Sequence, residues 1–305
     1  MHDILIIGGG PSGFAAALYA ARGEMDAVVF ERAVVGGQIS LTEAVENYPG
    51  FPDAVGGPEL AERFKNQAER FGAKLVTTEI QKIEKEGDGF RLTGASETWE
   101  GKAVIYACGA DPRRLDIPGE REFTGRGVSY CATCDGFFFR GKEIIVVGGG
   151  DAAVEEGIFL TKFAQKVTIV HRRDQLRATK ILQERAFGNE KIDFRWDSVL
   201  TEICGDQQVT HVKARNVKTE EETEIPIDGV FIFIGHIPNT GLAEGLVKMN
   251  ENGLIEVNHY METSLPGFYA CGDCRTYSVR QMVQAAGDGA AAAISAIRYI
   301  DTLKA

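Results

Sequence analysis

The segment Cys131-Ala132-Thr133-Cys134-Asp135-Gly136 places two thiols two residues apart, with a carboxylate directly after them. Such a pair can close into a small disulfide ring and reopen, one sulfur exposed for exchange while the other faces a second reactant. A Cys-x-x-Cys thiol often has a lowered pKa, so a thiolate is available near neutral pH for attack on a disulfide. Disulfide redox chemistry of this kind needs a source of electrons, and the flanking sequence offers one on each side.

Upstream, the apolar run Ile4-Leu5-Ile6-Ile7 reads as a strand buried on both faces. It leads into Gly8-Gly9-Gly10-Pro11-Ser12-Gly13 and then a helix over 14–22, the strand–turn–helix setting of a G-x-G-x-x-G dinucleotide fingerprint. The glycines permit a tight turn and close backbone approach, and the helix N-terminus receives a pyrophosphate. A second strand over 27–30 ends at Glu31, placed to hydrogen-bond ribose hydroxyls. Downstream, a strand over 143–147 feeds Gly148-Gly149-Gly150-Asp151-Ala152-Ala153, a G-x-G-x-x-A form through Gly148, Gly150 and Ala153. Its second strand, 166–170, ends not in an acid but in His171-Arg172-Arg173-Asp174, with Arg177 one turn on. An acid there would repel a 2′-phosphate, whereas arginines bind it with charge-assisted bonds, so NADPH is favoured over NADH. The order implies electrons passing from one nucleotide cofactor through another into the disulfide.

The elements around these motifs read as α/β. A helix over 57–71 carries Leu60, Phe64 and Phe71 on one side, followed by strands over 74–77, 90–93 and 103–107. Residues 36–50, including Gly36-Gly37-Gln38 and Glu46-Asn47-Tyr48-Pro49-Gly50, show little periodicity. Pro112, Pro118 and Gly119 mark 111–119 as a domain boundary. The second nucleotide unit continues through strands over 192–196, 209–214 and 229–234, with the acidic run 220–222 at a hairpin tip. Residues 235–240 form the turn leaving it, and an alanine-rich helix over 283–300 follows.

With 305 residues, a net charge of −11 and 36 glycines, the chain has room for two domains. Its acidity excludes a nucleic-acid binder, no stretch is long and apolar enough for a membrane span, and no targeting segment is expected. Six cysteines are too few for a disulfide scaffold. Cys108 reads as a small filler, Cys204 as a residue of a polar turn. Cys271 and Cys274 repeat the Cys-x-x-Cys spacing and have three readings: a second redox pair, two small residues flanking Gly272-Asp273, or half of a four-cysteine metal site with Cys131 and Cys134.

Taken together, Cys131-Ala132-Thr133-Cys134-Asp135-Gly136, His171-Arg172-Arg173, Gly235-His236-x-Pro238-Asn239-Thr240, and Gly272-Asp273 with Arg280-Gln281 resemble the bacterial low-molecular-weight thioredoxin reductases, essentially end to end. The resemblance implies an α/β protein of two Rossmann-like dinucleotide-binding domains, the NADPH domain inserted into a discontinuous FAD domain. The FAD domain would comprise residues 1–113 and 242–305, and the NADPH domain residues 114–241 with the Cys-x-x-Cys. FAD would be held by Gly8, Gly10, Pro11, Ser12, Gly13, Glu31, Gly37, Gln38, Asn47, Gly272, Asp273, Arg280 and Gln281. NADPH would be held by Gly148, Gly150, Asp151, Ala153, His171, Arg172, Arg173 and Arg177. The family further implies a cytoplasmic homodimer that passes electrons from NADPH to FAD to the Cys131–Cys134 disulfide and on to thioredoxin. Cys134 would face the flavin, Cys131 would attack thioredoxin, Asp135 would protonate the departing thiolate, and Arg126, Phe137 and Phe138 would grip the partner. Rotation of one domain against the other, about joins near 111–119 and 241–253, would let both the nicotinamide and the disulfide meet one flavin. Ala152, Cys108, Cys271 and Cys274 depart from the family's usual residues.

Four neighbouring functions share parts of this pattern. An alkyl hydroperoxide reductase flavoprotein would carry a further N-terminal region, a ferredoxin-dependent reductase would lack the basic cluster, and a ferredoxin–NADP reductase would lack the Cys-x-x-Cys. A non-catalytic flavin sensor would not turn over.

Overall fold

The structure, a computed structural model, describes residues 1–42 and 44–303. The chain forms two compact units, residues 1–111 with 238–305, and residues 112–237. The second unit is thus an insertion in the first, and both are α/β.

The first unit opens with β1 (His2–Ile7), α1 (Pro11–Arg22) and β2 (Ala27–Glu31). It continues with α2 (Gly57–Arg70), β3 (Lys74–Thr77), β4 (Lys82–Glu86), β5 (Gly89–Thr93) and β6 (Thr98–Tyr106). β1, β2, β3 and the C-terminal half of β6 are parallel, while β4, β5 and the N-terminal half of β6 form an antiparallel meander. β1 is apolar at consecutive positions because both faces are covered: Ile4 and Ile6 enter the core beneath α1, and Leu5 and Ile7 enter the core on the other face. β4, with the sequence Lys-Ile-Glu-Lys-Glu, contributes only Ile83 to a core, and so carries almost no apolar signal.

The chain leaves through β7 (Ala110–Pro112) and enters the second unit, where β8 (Val128–Ser129), α3 (Ala132–Asp135) and β9 (Glu143–Val147) lead to α4 (Asp151–Leu160). β10 (Lys166–Val170), α5 (Lys180–Phe187) and β11 (Ile192–Arg195) complete one half. Then a three-stranded antiparallel sheet, β12 (Ser198–Gly205), β13 (Val209–Asn216) and β14 (Glu222–Pro226), precedes β15 (Gly229–Ile232). The main sheet has the order β11-β10-β9-β15-β8, all parallel. Cys204 lies in β12 and not in a turn, and Glu220, at φ 59°, turns the β13–β14 hairpin.

β16 (His236–Pro238) returns the chain to the first unit and forms a two-stranded ladder with β7. β17 (Phe268–Ala270) then joins the parallel sheet beside β6, and α6 (Met282–Leu303) packs along α1. Small residues let these helices approach closely: a Cβ on Gly289 would lie 2.0 Å from the carbonyl oxygen of Ser12. The alanines 292, 293 and 296 continue that seam in the core. Phe71 caps α2 and is exposed, its ring covered by the guanidinium of Arg22, and does not extend the apolar side formed by Leu60 and Phe64.

Candidate functional site

In the second unit Cys131 and Cys134 form a disulfide, with S–S 2.08 Å and Cα–Cα 5.3 Å. β8 ends at Ser129, and the chain then turns into the single helical turn α3, which Cys131 caps. The Cys131 sulfur accepts the Cys134 amide hydrogen at 3.2 Å and lies 3.4 Å from the Thr133 hydroxyl. A donor aimed at sulfur favours the thiolate once the bridge is open. Asp135 is half-buried, and burial pushes its carboxyl above the ordinary range, against the opposing effect of a hydrogen bond from Ser129 Oγ to Oδ2 at 2.5 Å. A carboxyl raised in this way holds its proton closer to neutral pH, as a proton donor to a sulfur anion must.

Phe137 and Phe138, two and three residues beyond the acid, are 53% and 40% exposed, while Phe139 is buried against Phe231. The first two are therefore surface residues beside the disulfide, and only the third is core. Arg126 is also exposed, its guanidinium donating to the carbonyls of Glu122 at 2.6 Å and Gln207 at 3.4 Å.

The second fingerprint lies between β9 and α4. Gly148 has φ +146°, and a Cβ there would lie 2.5 Å from the Phe233 carbonyl oxygen. Gly149 packs on the ring of His171, whose Nδ1 would be 2.4 Å from an added Cβ. Gly150 caps α4, Ala153 is fully buried, and Asp151 Oδ1 accepts the Thr179 amide at 2.6 Å. The Arg177 amide donates to the Gly149 carbonyl at 2.7 Å, tying that arginine's segment to the glycine turn. His171 is only 6% exposed, and burial, with Arg177, Arg173 and Arg172 nearby, lowers its pKa. The imidazole is therefore neutral at pH 7 and packs beneath the turn. The charge of the cluster belongs to Arg172, Arg173 and Arg177, all exposed and, among the described residues, none in an ion pair.

In the first unit the same construction recurs with different chemistry. Gly8, at φ +110°, comes so close to β6 that a Cβ would sit 2.4 Å from the Ala107 carbonyl oxygen, and Gly13 abuts the Gly8 carbonyl. Gly10 caps α1 and Pro11 opens it, where a missing N–H costs nothing. Glu31 occupies the place that His171 holds in the second unit. Its carboxylate accepts the Gly9 amide at 2.7 Å and the Ala33 amide at 2.9 Å, which fixes it at the rim of the turn. Gly36 and Gly37 both have positive φ, and the Gly36 amide donates to the Gly9 carbonyl at 2.8 Å, bringing this loop against the fingerprint.

Tertiary structure adds the C-terminal residues to that site. β17 ends beside β6, where Gly272, at φ +76°, faces Ser12, 2.7 Å from an added Cβ. Asp273 Oδ1 accepts from the Ser278 hydroxyl at 2.6 Å, and burial raises its pKa. Asn47 donates to the Gln281 side chain at 3.2 Å across 234 residues of sequence. Gln38 donates to Asp111 at 2.6 Å, and Arg280 is exposed with φ 54°.

Cys271 and Cys274 are free, fully buried thiols in the cores on opposite faces of the sheet, and burial pushes both upward in pKa. They are small core residues flanking Gly272-Asp273. No group of three or more metal-ligating side chains occurs among the described residues, and none of their helices is long and apolar enough to cross a membrane.

Sequence reasoning missed four contributors. Ser129 touches both the disulfide loop and Asp135. Glu120, 0% exposed, accepts from the amides of Leu115 and Asp116 and from the Tyr130 hydroxyl, next to Cys131. Arg275 and Asp288 form a buried pair beneath Gly272, whose amide donates to Asp288 at 3.2 Å. Only the apolar context of Asp288 in an alanine-rich helix offered a signal.

The chain matches the family described as pyridine nucleotide-disulphide oxidoreductase over residues 2–289. It is 48% identical to a thioredoxin reductase of Listeria innocua, covering 100% of this chain and 95% of that protein. With the thioredoxin reductase of Bacillus subtilis it is also 48% identical, covering 100% and 96%. The crystal structure of thioredoxin reductase from Streptococcus pyogenes superposes with a TM-score of 0.96 at 48% identity, covering 99% of each chain. The resemblance read from the motifs is borne out, and the chain belongs to the thioredoxin reductases of the pyridine nucleotide-disulphide oxidoreductase family.

Proposed function

We propose that the chain is an NADPH-dependent, FAD-containing thioredoxin-disulfide reductase, with residues 1–113 and 242–305 as its FAD domain and 114–241 as its NADPH domain. The observation that carries the reading is the Cys131–Cys134 disulfide with Asp135 beside it, set in a unit that also bears a dinucleotide fingerprint. A cytoplasmic homodimer, as the family resemblance implies, is part of the same reading.

The residues present fit both cofactors. Gly8, Gly10 and Gly13 leave the backbone bare at the α1 N-terminus, where a side chain would collide with protein or fill the space a pyrophosphate takes. Pro11, Ser12, Glu31, Gly37, Gln38, Asn47, Gly272, Asp273, Arg280 and Gln281 complete the FAD set. Gly148, Gly150, Asp151 and Ala153 form the NADPH turn over His171, and the guanidiniums of Arg172, Arg173 and Arg177 match a 2′-phosphate. Bound NADPH and FAD supply two electrons to open the disulfide.

This chain's residues then act as follows. Taking up two electrons and one proton opens the S–S bond and leaves Cys134 as a thiol and Cys131 as a thiolate. The Cys131 thiolate, stabilised by the Cys134 amide, attacks one sulfur of the partner's disulfide and forms a mixed disulfide. The partner's other sulfur leaves as a thiolate and takes a proton from Asp135. Cys134 next attacks the Cys131 sulfur, re-forming the internal bridge as the mixed disulfide breaks; the proton its thiol gives up passes to the departing partner sulfur, and the partner leaves as a dithiol. Phe137, Phe138 and Arg126 provide an apolar and cationic surface for the partner.

An anaerobic flavin absorbance trace tests the reading. NADPH should bleach the flavin and oxidised thioredoxin should restore it. Bleaching without recovery would reject thioredoxin as the acceptor, and no bleaching would reject NADPH as the donor.

A further inference from the structure

We infer that Ser129 is a positioning residue for the proton-transfer step, its hydroxyl joining the acid Asp135 to the backbone of the attacking cysteine. The inference rests on the role proposed above for Asp135. Ser129 is 4% exposed and stands at the end of β8, with Phe231 of β15 as its partner in register. The strand ladder therefore fixes where its side chain begins. Its hydroxyl donates to Asp135 Oδ2 at 2.5 Å and accepts the Cys131 amide at 3.1 Å, with the Cys131 carbonyl 3.2 Å away. A hydroxyl has one hydrogen, and the shorter contact, to a carboxylate, takes it.

This arrangement does two things. It engages Oδ2 and leaves Oδ1 as the oxygen that carries the transferable proton, so the acid is oriented before the partner arrives. It also sets how readily that proton leaves. Burial raises the carboxyl's pKa, and the Ser129 O–H opposes that by stabilising the ionised form left after the transfer. The redox-active cysteines share its turn: Cys134 precedes it in sequence, and the Asp135 amide donates to the Cys131 carbonyl at 3.2 Å. In the step itself the Asp135 O–H bond breaks and an S–H bond forms on the departing thiolate, and solvent later returns the proton to Asp135.

The test is single-turnover reaction of the dithiol enzyme with oxidised thioredoxin between pH 5 and 9, comparing wild type with Ser129→Ala, Ser129→Thr and Asp135→Asn. A rate that requires protonated Asp135 falls as pH rises through its pKa. In Ser129→Ala that limb should move to higher pH by about one unit, and the plateau rate should fall on the order of tenfold, less than the 10²–10⁴-fold loss expected for Asp135→Asn. Ser129→Thr, which keeps the hydroxyl, should restore the wild-type limb. A ¹³C titration of the Asp135 carboxyl should show the same upward shift in Ser129→Ala independently of turnover. A limb present in wild type and absent in Asp135→Asn, yet unmoved in Ser129→Ala, overturns the inference while leaving the acid role intact. A limb that persists in Asp135→Asn overturns the acid role and the inference with it.

Discussion

Asp288 and Arg275 lie 7% and 5% exposed beneath the Gly272 turn. Arg275 donates from Nε to Oδ2 at 2.9 Å and from Nη2 to both oxygens at 2.7 Å, and Nη1 reaches the Thr276 carbonyl at 2.6 Å. The Asp288→Ala change removes every carboxylate partner and leaves a buried guanidinium with one carbonyl. Breaking a buried pair from one side costs about 3–5 kcal/mol, because the remaining charge is uncompensated. The Gly272 amide also loses its acceptor, adding about 1 kcal/mol that Arg275→Leu would not incur. For a unit of this size, the combined loss of about 4–6 kcal/mol corresponds to a fall in Tm of roughly 8–24 °C. Removing both charges together, as Arg275→Leu/Asp288→Leu, leaves neither ion stranded and should recover most of the loss. The assay is urea unfolding at one fixed FAD concentration, since bound ligand shifts the midpoint. It is followed by Trp99, which packs on Phe30 with centroids 4.9 Å apart in the first unit, in a Trp196→Phe background. A loss below about 1 kcal/mol in Asp288→Ala, or a double variant as unstable as the sum of the singles, would refute the reasoning.

Arg172→Ala, Arg173→Ala and Arg177→Ala should each raise KM for NADPH about tenfold or more while leaving kcat/KM for NADH nearly unchanged. Loss of NADPH preference in none of them would show that the 2′-phosphate is read elsewhere. Cys134→Ser should accumulate a covalent adduct between Cys131 and thioredoxin, seen by non-reducing electrophoresis and mass spectrometry, whereas Cys131→Ser should not. Burial raises the pKa of Asp135 in the folded chain, so its stabilising contribution is present below the unfolded value of about 3.9 and is lost as pH rises through the folded pKa. Asp135→Asn should therefore have a higher Tm than wild type at pH 8, a gain that vanishes below about pH 4. Gly289→Ala should lower stability by several kcal/mol, since its Cβ would meet the Ser12 carbonyl at 2.0 Å. A neutral result in chemical denaturation would show that α1 and α6 can move apart freely.

The chemistry with a local signature was legible from sequence alone. A Cys-x-x-Cys-Asp run, two strand–glycine–helix turns and the different residues ending their second strands are each encoded within about thirty residues, because hydrogen-bonded turns and strand–helix packing are short-range. What lacks local periodicity was not legible. β4 and β14 are polar ribbons with one or two apolar residues, held by pairing with neighbours, and β12 is irregular at Leu200/Glu202 and Cys204/Gly205. Sequence groups His171 with the arginines as an NADPH residue, yet its charge state depends on burial against Gly149 and three neighbouring guanidiniums. Likewise the repeated Cys-x-x-Cys spacing does not separate a redox pair from two core thiols. Tertiary structure decides that, sending Cys131 and Cys134 into one bridge and Cys271 and Cys274 to opposite faces of a sheet. The contacts Ser129–Asp135, Arg275–Asp288 and Asn47–Gln281 belong to the same class. Their energies depend on burial and on distances of a few ångströms between segments that the order of residues does not place together.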